Sequence, residues 1–334
     1  MEKRPCGKSG IDVSVLGIGC WAYGGEEEDY WGAQAQSDVD VVVRGALDQG
    51  INYFDTAEAY NGGRSEESLG KALRGRRGEA VIGTKVSPGN TEPSVLREHC
   101  DASLQRLGTD YIDTYFLHWA ITKHSVPDAF ATLAELQSEG KIRSIAVSNF
   151  GPKQLTEALE TGARIDVNQL CYNLASRAIE VGILPLCRQH DIAVFAYMPL
   201  LQGILSGKYE TLDDIPPERT RTLHFSGERP QSRHGEPGAE EEMCRALAGM
   251  REISREEDIA MDQLALAWTM AKPAVASVLV GVRNTEQLER NAPAASLALS
   301  PELVSKLDEL TQPLMDKLGA NADYFQGAEG SRVH

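Results

Sequence analysis

Positive charge is scarce in this chain of 334 residues: 33 lysines and arginines stand against 49 aspartates and glutamates, a net charge of −16. Such a balance repels nucleic acid and anionic membrane surfaces, so neither is expected as a partner, and any anionic ligand needs a local positive pocket. Long apolar runs are missing too. No stretch approaches the ~18 apolar residues of a membrane span. The N-terminal MEKRPCGKSG has no apolar segment of the kind that directs secretion. Six cysteines, at 6, 20, 100, 171, 187 and 244, form no C-x-x-C pair, and the seven histidines form no H-E-x-x-H, so neither a disulfide framework nor a metal site is indicated. A reducing, cytoplasmic setting is the expectation. What the chain does have is bulk: with 42% hydrophobic residues it can bury a large core, as one barrel-sized domain or two ordinary ones.

Strand-like and helix-like segments alternate along it. After an N-terminal hairpin, KRPC and DVSV around a GKSG turn, eight apolar runs follow: VLGIG, INYF, AVIGT, YIDTYFL, SIAVS, IDVNQ, IAVFAY and ASVLV. Amphipathic segments with helix punctuation lie between them. In SDVDVVVRGALDQG, Ser37 is the expected cap; in TEPSVLREHCDASLQRLG and SVPDAFATLAELQSEG the expected caps are Thr91 and Ser125, with Pro93 and Pro127 in the first turns. Run ends fall near Cys20, Asp55, Lys85, His118, Asn149, Gln169, Tyr197 and Gly281. Most intervals match one βα crossover of ~30 residues, which makes the strands parallel. The last interval is far longer and holds an irregular stretch, 206–238, rich in Pro, Gly, Arg and Asp, of the kind that forms a lid. Eight such units predict a single (β/α)8 TIM barrel over 1–334, rather than a doubly wound sheet, with a long loop after strand 7 and a C-terminal helix and tail.

Parallel strands deliver all their C-terminal ends to one rim. Asp55, Lys85 and His118 follow three consecutive runs, and Tyr60 sits in the loop after the first. Each alone is an ordinary residue; together they form a proton-handling set. A free tyrosine titrates near ~10, and a neighbouring ammonium favours the phenolate. Lys85 supplies that ammonium, Asp55 keeps it charged, and His118 hydrogen-bonds the substrate oxygen or relays the proton. The set protonates an oxygen but offers no nucleophile, so a carbonyl substrate needs a hydride from a nicotinamide. Ser148, Asn149 and Gln169 carry groups that suit a carboxamide, and Tyr197 suits stacking on a flat ring. In VLVGVRNTEQLERN, Gly281 allows close approach, Asn284 and Gln287 resemble a capping box, and Arg283 at a helix start suits a phosphate. GIGCWAYGG is not a Rossmann fingerprint, because EEEDYW rather than a helix follows it; it reads as the first rim loop, with Trp21, Tyr30 and Trp31 as candidate pocket walls.

NYFDTAEAYNGGRSEESLGKAL, with IGTKV, FLHWA, AVSNF, VNQLCYN, AYMPLLQGILSGKY and VGVRNTEQLERN, resembles the aldo-keto reductase superfamily over nearly the whole chain. The CWAYGG and LLQGILSGKY segments are most similar to its bacterial branch of general-stress, sugar- and inositol-related reductases. The resemblance implies a catalytic tetrad of Asp55, Tyr60, Lys85 and His118, with Tyr60 the general acid in reduction and the base in oxidation. It implies a carboxamide held by Ser148, Asn149 and Gln169, stacking by Tyr197, and a pyrophosphate lined by Met198, Pro199, Leu200, Gln202, Gly203 and Leu205 with Lys208. A flap from the long loop would bring Arg219 or Arg221 to a phosphate. Gly281, Arg283, Gln287 and Asn291 would bind the adenosine end, Arg283 on a 2′-phosphate. Cys20, Trp21 and Asp55 join the cofactor contacts, and Trp119 joins Trp21, Tyr60 and His118 around the substrate. Cys20 stands where many relatives have Thr, Arg290 where many have Glu, and Ala120 where many have Pro. NADP(H) is the expected cofactor, NAD(H) the alternative. The expected activity is interconversion of a small carbonyl compound, a sugar, cyclitol or keto-metabolite, with its alcohol; a nucleotide-sensing subunit of the channel β type, with little turnover, is the other reading. The tail after SPELVSKLDELTQ either covers the pocket mouth or frays. No feature of the residues assigns an oligomeric state.

Overall fold

The computed structural model describes residues 1–334. Strands β1 (Lys3–Pro5) and β2 (Asp12–Ser14) pair antiparallel as the expected hairpin. Then β3 (Leu16–Gly19), β4 (Tyr53–Asp55), β5 (Val81–Val86), β6 (Ile112–Leu117), β7 (Ile142–Ser148), β8 (Val167–Cys171), β9 (Ala193–Tyr197) and β10 (Val275–Gly281) close in chain order, all parallel, with β10 paired to β3. The architecture is a (β/α)8 barrel. Helices surround it: α1 (Gln36–Asp48), α2 (Arg64–Ala72), α3 (Pro93–Leu107), α4 (Val126–Ser138), α5 (Pro152–Glu160), α6 (Ile183–Gln189), α7 (Glu240–Glu256), α8 (Met261–Met270), α9 (Thr285–Asn291) and α10 (Pro301–Leu318).

The hairpin closes the end of the barrel where the strands begin. Cys6, Ile11 and Val13 pack there on Tyr53, Phe116 and Phe195, and the Tyr53 and Phe195 rings meet edge to face at 4.7 Å. That layer leaves no room at Gly83, where a Cβ would stand 2.0 Å from the Tyr53 hydroxyl. With this end filled, only the opposite rim can hold a ligand.

Two caps fall where expected: the Ser125 hydroxyl accepts from Asp128 N at 3.3 Å and the Asn284 side chain from Gln287 N at 2.9 Å. Two do not. Helix α1 starts after Ala35 without a side-chain cap, so Ser37 lies inside its first turn. Thr91 spends its hydroxyl on Pro88 O, and Glu92, held extended ahead of Pro93, caps α3 through Ser94 N and Val95 N instead. At α9 the capping box is offset by one residue, since the Gln287 side chain accepts from Arg283 N rather than from Asn284.

Segment 206–238 begins at the end of a 3₁₀ turn, Leu201–Ser206, and beyond it holds only the short 3₁₀ turns Leu212–Asp214 and Pro217–Arg219, anchored by buried Leu212, Ile215, Leu223 and Phe225. The tail does not fray. Tyr324 is buried, its O accepts from Leu223 N and its hydroxyl from Ala178 N, and His334 O accepts from Lys153 N. No helix is long and apolar enough to cross a membrane.

Candidate active site

Asp55, Lys85 and His118 stand at the ends of adjacent strands β4, β5 and β6, and the closed register brings them together. Lys85 is fully buried. Its ammonium donates to Asp55 Oδ2 at 2.8 Å, to Thr56 O at 2.7 Å and to the Tyr60 hydroxyl at 3.3 Å, so all three N–H groups have partners. Gln169 Nε2 holds the other Asp55 oxygen at 2.7 Å. The His118 ring lies edge-on to Tyr60, centroids 5.6 Å apart, and makes no side-chain hydrogen bond within the protein. Lys85 thus links Asp55 to the Tyr60 hydroxyl, and His118 lies against the Tyr60 ring.

A left-handed turn puts Tyr60 there. Asn61, Gly62 and Gly63 have φ of 50°, 63° and 91°, a conformation that Gly and Asn tolerate best. Asn61 Nδ2 donates to Trp21 O at 3.0 Å and to Tyr23 O at 2.9 Å, and Ser65 Oγ to Cys20 O at 2.7 Å. These bonds fasten the first rim loop to the turn, and the Trp21 ring lies over Tyr60 at 5.8 Å with planes 28° apart. Sequence reasoning missed Asn61; the Asn-Gly-Gly that follows Tyr60 was its signal.

Burial and charge compete over the titrations. Burial pushes the Tyr60 phenol above its ordinary value, the Lys85 ammonium pulls it back, and Asp55 adds to the rise. The expected net lowering is therefore not found: desolvation outweighs one ammonium already shared with a carboxylate. Burial also raises Asp55 against the pull of Lys85. Burial pulls the Lys85 ammonium down more than any one neighbour lifts it, but Asp55 and Tyr60 together more than offset this, so its value is raised and it stays protonated. His118 is pushed down to about 3 by burial and by the Lys85 charge, so its ring is neutral near pH 7 and can donate a hydrogen bond but carries no spare proton.

Further round the rim, Ser148 Oγ donates to Gln169 O, Asn149 Nδ2 to Ser148 Oγ and His118 O, and the Tyr197 hydroxyl to Asn149 Oδ1 at 2.8 Å. After β9 the backbone turns left-handed at Met198, Leu201, Gln202 and Gly203, ahead of buried Leu205. A Cβ at Gly203 would meet Lys208 Nζ at 3.0 Å and Arg219 Nη1 at 3.8 Å, so both cations converge on this turn, and Gln202 Nε2 is buried there without a partner. Of the two flap arginines, Arg219 is the one that lies with Lys208 at the Gly203 turn.

Other expected contact residues have partners within the protein. The Cys20 thiol is buried and donates to Ile18 O at 3.6 Å. Arg283 is already engaged: Nε bonds Gln34 Oε1, and Nη1 and Nη2 bond Trp31 O and Ala33 O, while Gln34 Nε2 returns a bond to Arg283 O. Three of its five N–H groups are thereby used. Gln287 is exposed, Asn291 is buried, and a Cβ at Gly281 would meet nothing within 4 Å. Trp119 carries the Arg332 guanidinium 3.7 Å over its ring, which brings the tail to the mouth of the site.

The aldo/keto reductase family model matches residues 15–312, and the chain belongs to that family of oxidoreductases. The NADH-specific methylglyoxal reductase of Escherichia coli is 33% identical, over 94% of this chain and 99% of that one. A probable voltage-gated potassium channel subunit beta of Arabidopsis thaliana is 30% identical, over 93% and 97%. Among solved structures, an aldo-keto reductase from Klebsiella pneumoniae in complex with NADPH matches with a TM-score of 0.73 at 28% identity, covering 100% of this chain and 99% of that one.

Proposed function

We propose that the protein is a cytoplasmic, single-domain oxidoreductase that interconverts a small carbonyl compound and its alcohol with NADP(H), with NAD(H) as the second cofactor. The observation that carries this reading is the Lys85 ammonium bonded at once to Asp55 and to the Tyr60 hydroxyl. In that role the bound nicotinamide supplies the hydride. Tyr60 gives its proton to the carbonyl oxygen, and Lys85 stabilises the phenolate left behind. Asp55 holds Lys85 in place, and neutral His118 donates a hydrogen bond to the same oxygen. Ser148, Asn149 and Gln169 orient the carboxamide, and Tyr197 supports the ring. The Gly203 turn with Lys208 and Arg219 fits a pyrophosphate, since two cations and left-handed backbone line it. Gly281, Gln287, Asn291 and the free N–H groups of Arg283 take the adenosine end. NADPH in the Klebsiella structure supports the first cofactor, and the NADH-specific relative supports the second.

The Arabidopsis relative favours a second reading, a nucleotide-sensing subunit with negligible turnover. Oxidation of NADPH and of NADH, followed at 340 nm against a panel of aldehydes and ketones with nucleotide affinity measured in parallel, separates the two. Turnover with any carbonyl compound supports the enzyme; tight nucleotide binding with no turnover across the panel refutes it.

A further inference from the structure

Among the partly buried arginines Arg221 alone makes neither an ion pair nor a well-formed hydrogen bond, the Tyr30 side chain being the polar group near its guanidinium. Arg44, Arg74, Arg188 and Arg233 lack partners too, but all four are exposed to water. Arg221 Nε is buried with nothing to bond, and its guanidinium has no carboxylate within reach. In a chain with a net charge of −16 that is an unusual position for a cation, and a buried unpaired donor costs about 1–3 kcal/mol.

Its surroundings give it a direction. The guanidinium sits 4.7 Å from the Tyr30 ring and 5.7 Å from the Phe325 ring, between the first rim loop and the tail. Tyr30 stacks on Trp21 at 5.2 Å with planes 4° apart, and Trp21 stacks on Tyr60. An unbroken aromatic wall thus runs from the proposed proton donor to Arg221. Arg219, two residues earlier, bonds Gln202 O and the Tyr209 hydroxyl beside Lys208. One flap therefore presents two cations in different settings: one at the turn suited to the cofactor, the other on the wall above Tyr60.

We propose that Arg221 is the anchor for an anionic group on the substrate, so that the preferred carbonyl compound is extended, with a carboxylate or phosphate at the end remote from the carbonyl. This rests on the reductase reading above. The ring stack spaces the two ends, since Trp21 and Tyr30 lie between the phenol and the guanidinium, and the anion completes the partner set that Arg221 lacks. The aromatic faces exclude water from the pair and strengthen it.

The test pairs acidic with neutral substrates. Adipate semialdehyde is compared with hexanal, and a hexose phosphate with the free hexose, so the carboxylate and phosphate sources are read separately. Wild type should favour at least one acidic member. In Arg221→Met, kcat/KM for that member relative to its neutral partner should fall on the order of ten- to hundredfold, through KM, while Arg221→Lys keeps part of the preference. The neutral substrate controls for folding. An unmoved ratio overturns the proposal; so does a loss that appears instead in NADPH affinity, which would assign Arg221 to the cofactor. Should the wild type reduce none of these, the reductase reading fails first. Calorimetric titration of adipate into wild type and Arg221→Met then decides separately: binding lost in the variant upholds the anion site, and equal or absent binding removes it.

Discussion

Replacing Lys85 with methionine tests the buried pair at the centre of the site. Methionine nearly matches the length and volume of the lysine stem, so little cavity is created. What it removes is the ammonium that bonds Asp55, Thr56 O and Tyr60 inside a fully buried position. Asp55, 4% exposed, is then left ionised with Gln169 as its one side-chain donor. Breaking a buried pair in this way costs about 3–5 kcal/mol, most of it the uncompensated charge. The double variant Asp55→Asn with Lys85→Met removes that charge and should recover most of the loss, with a coupling energy of roughly 2 kcal/mol or more in a double-mutant cycle. Urea unfolding at neutral pH measures it. The sign with pH is also set. In Lys85→Met the folded-state pKa of Asp55 rises further above its unfolded value, so the folded state takes up the proton first and the deficit shrinks as pH falls. Additive single losses, or a deficit that grows in acid, would refute the reasoning.

Three further outcomes are expected. Asn61→Gly keeps the left-handed turn but drops the bonds to Trp21 O and Tyr23 O, so kcat/KM should fall about tenfold with little loss of stability, whereas Asn61→Ala should add about 1–2 kcal/mol of backbone strain; equal stability of the two contradicts this. Alcohol oxidation should rise with pH through a limb at or above the ~10 of free tyrosine, because burial keeps Tyr60 protonated, while carbonyl reduction shows no Tyr60 limb near neutrality; an oxidation limb well below that of free tyrosine contradicts this. His224, buried and bonded through its ring to Ala175 O, is pushed down to about 4. Its folded value lies below its unfolded one, so stability should fall by about 1.4 kcal/mol per unit as pH drops from ~6.5 towards 4. His224→Gln should remove that part of the slope; an unchanged acid profile counts against it.

The barrel and the placement of Asp55, Tyr60, Lys85 and His118 at one rim were legible because strand period and crossover length are local signals, and parallel order alone then sends Asp55, Lys85 and His118 to that rim. Caps were less so: Thr91 and Glu92 compete for one helix start, and only the turn at Pro88 decides between them. Long-range partners were illegible. Nothing near Arg283 in sequence announces that Trp31, Ala33 and Gln34 will occupy its donors, and nothing near Arg221 announces Tyr30 and Phe325. The direction of the Tyr60 shift depends on burial, which the order of residues does not carry.

Single-turnover reduction by Tyr60→Phe bears most directly on the proposed role of the phenol. The variant keeps the ring against Trp21 and His118 and removes only the hydroxyl that Lys85 holds. With NADPH bound and a carbonyl substrate that the wild type reduces, the rate should fall by about 10²–10⁴-fold while NADPH affinity stays within about twofold. A rate near that of the wild type would contradict the assignment of Tyr60 as proton donor.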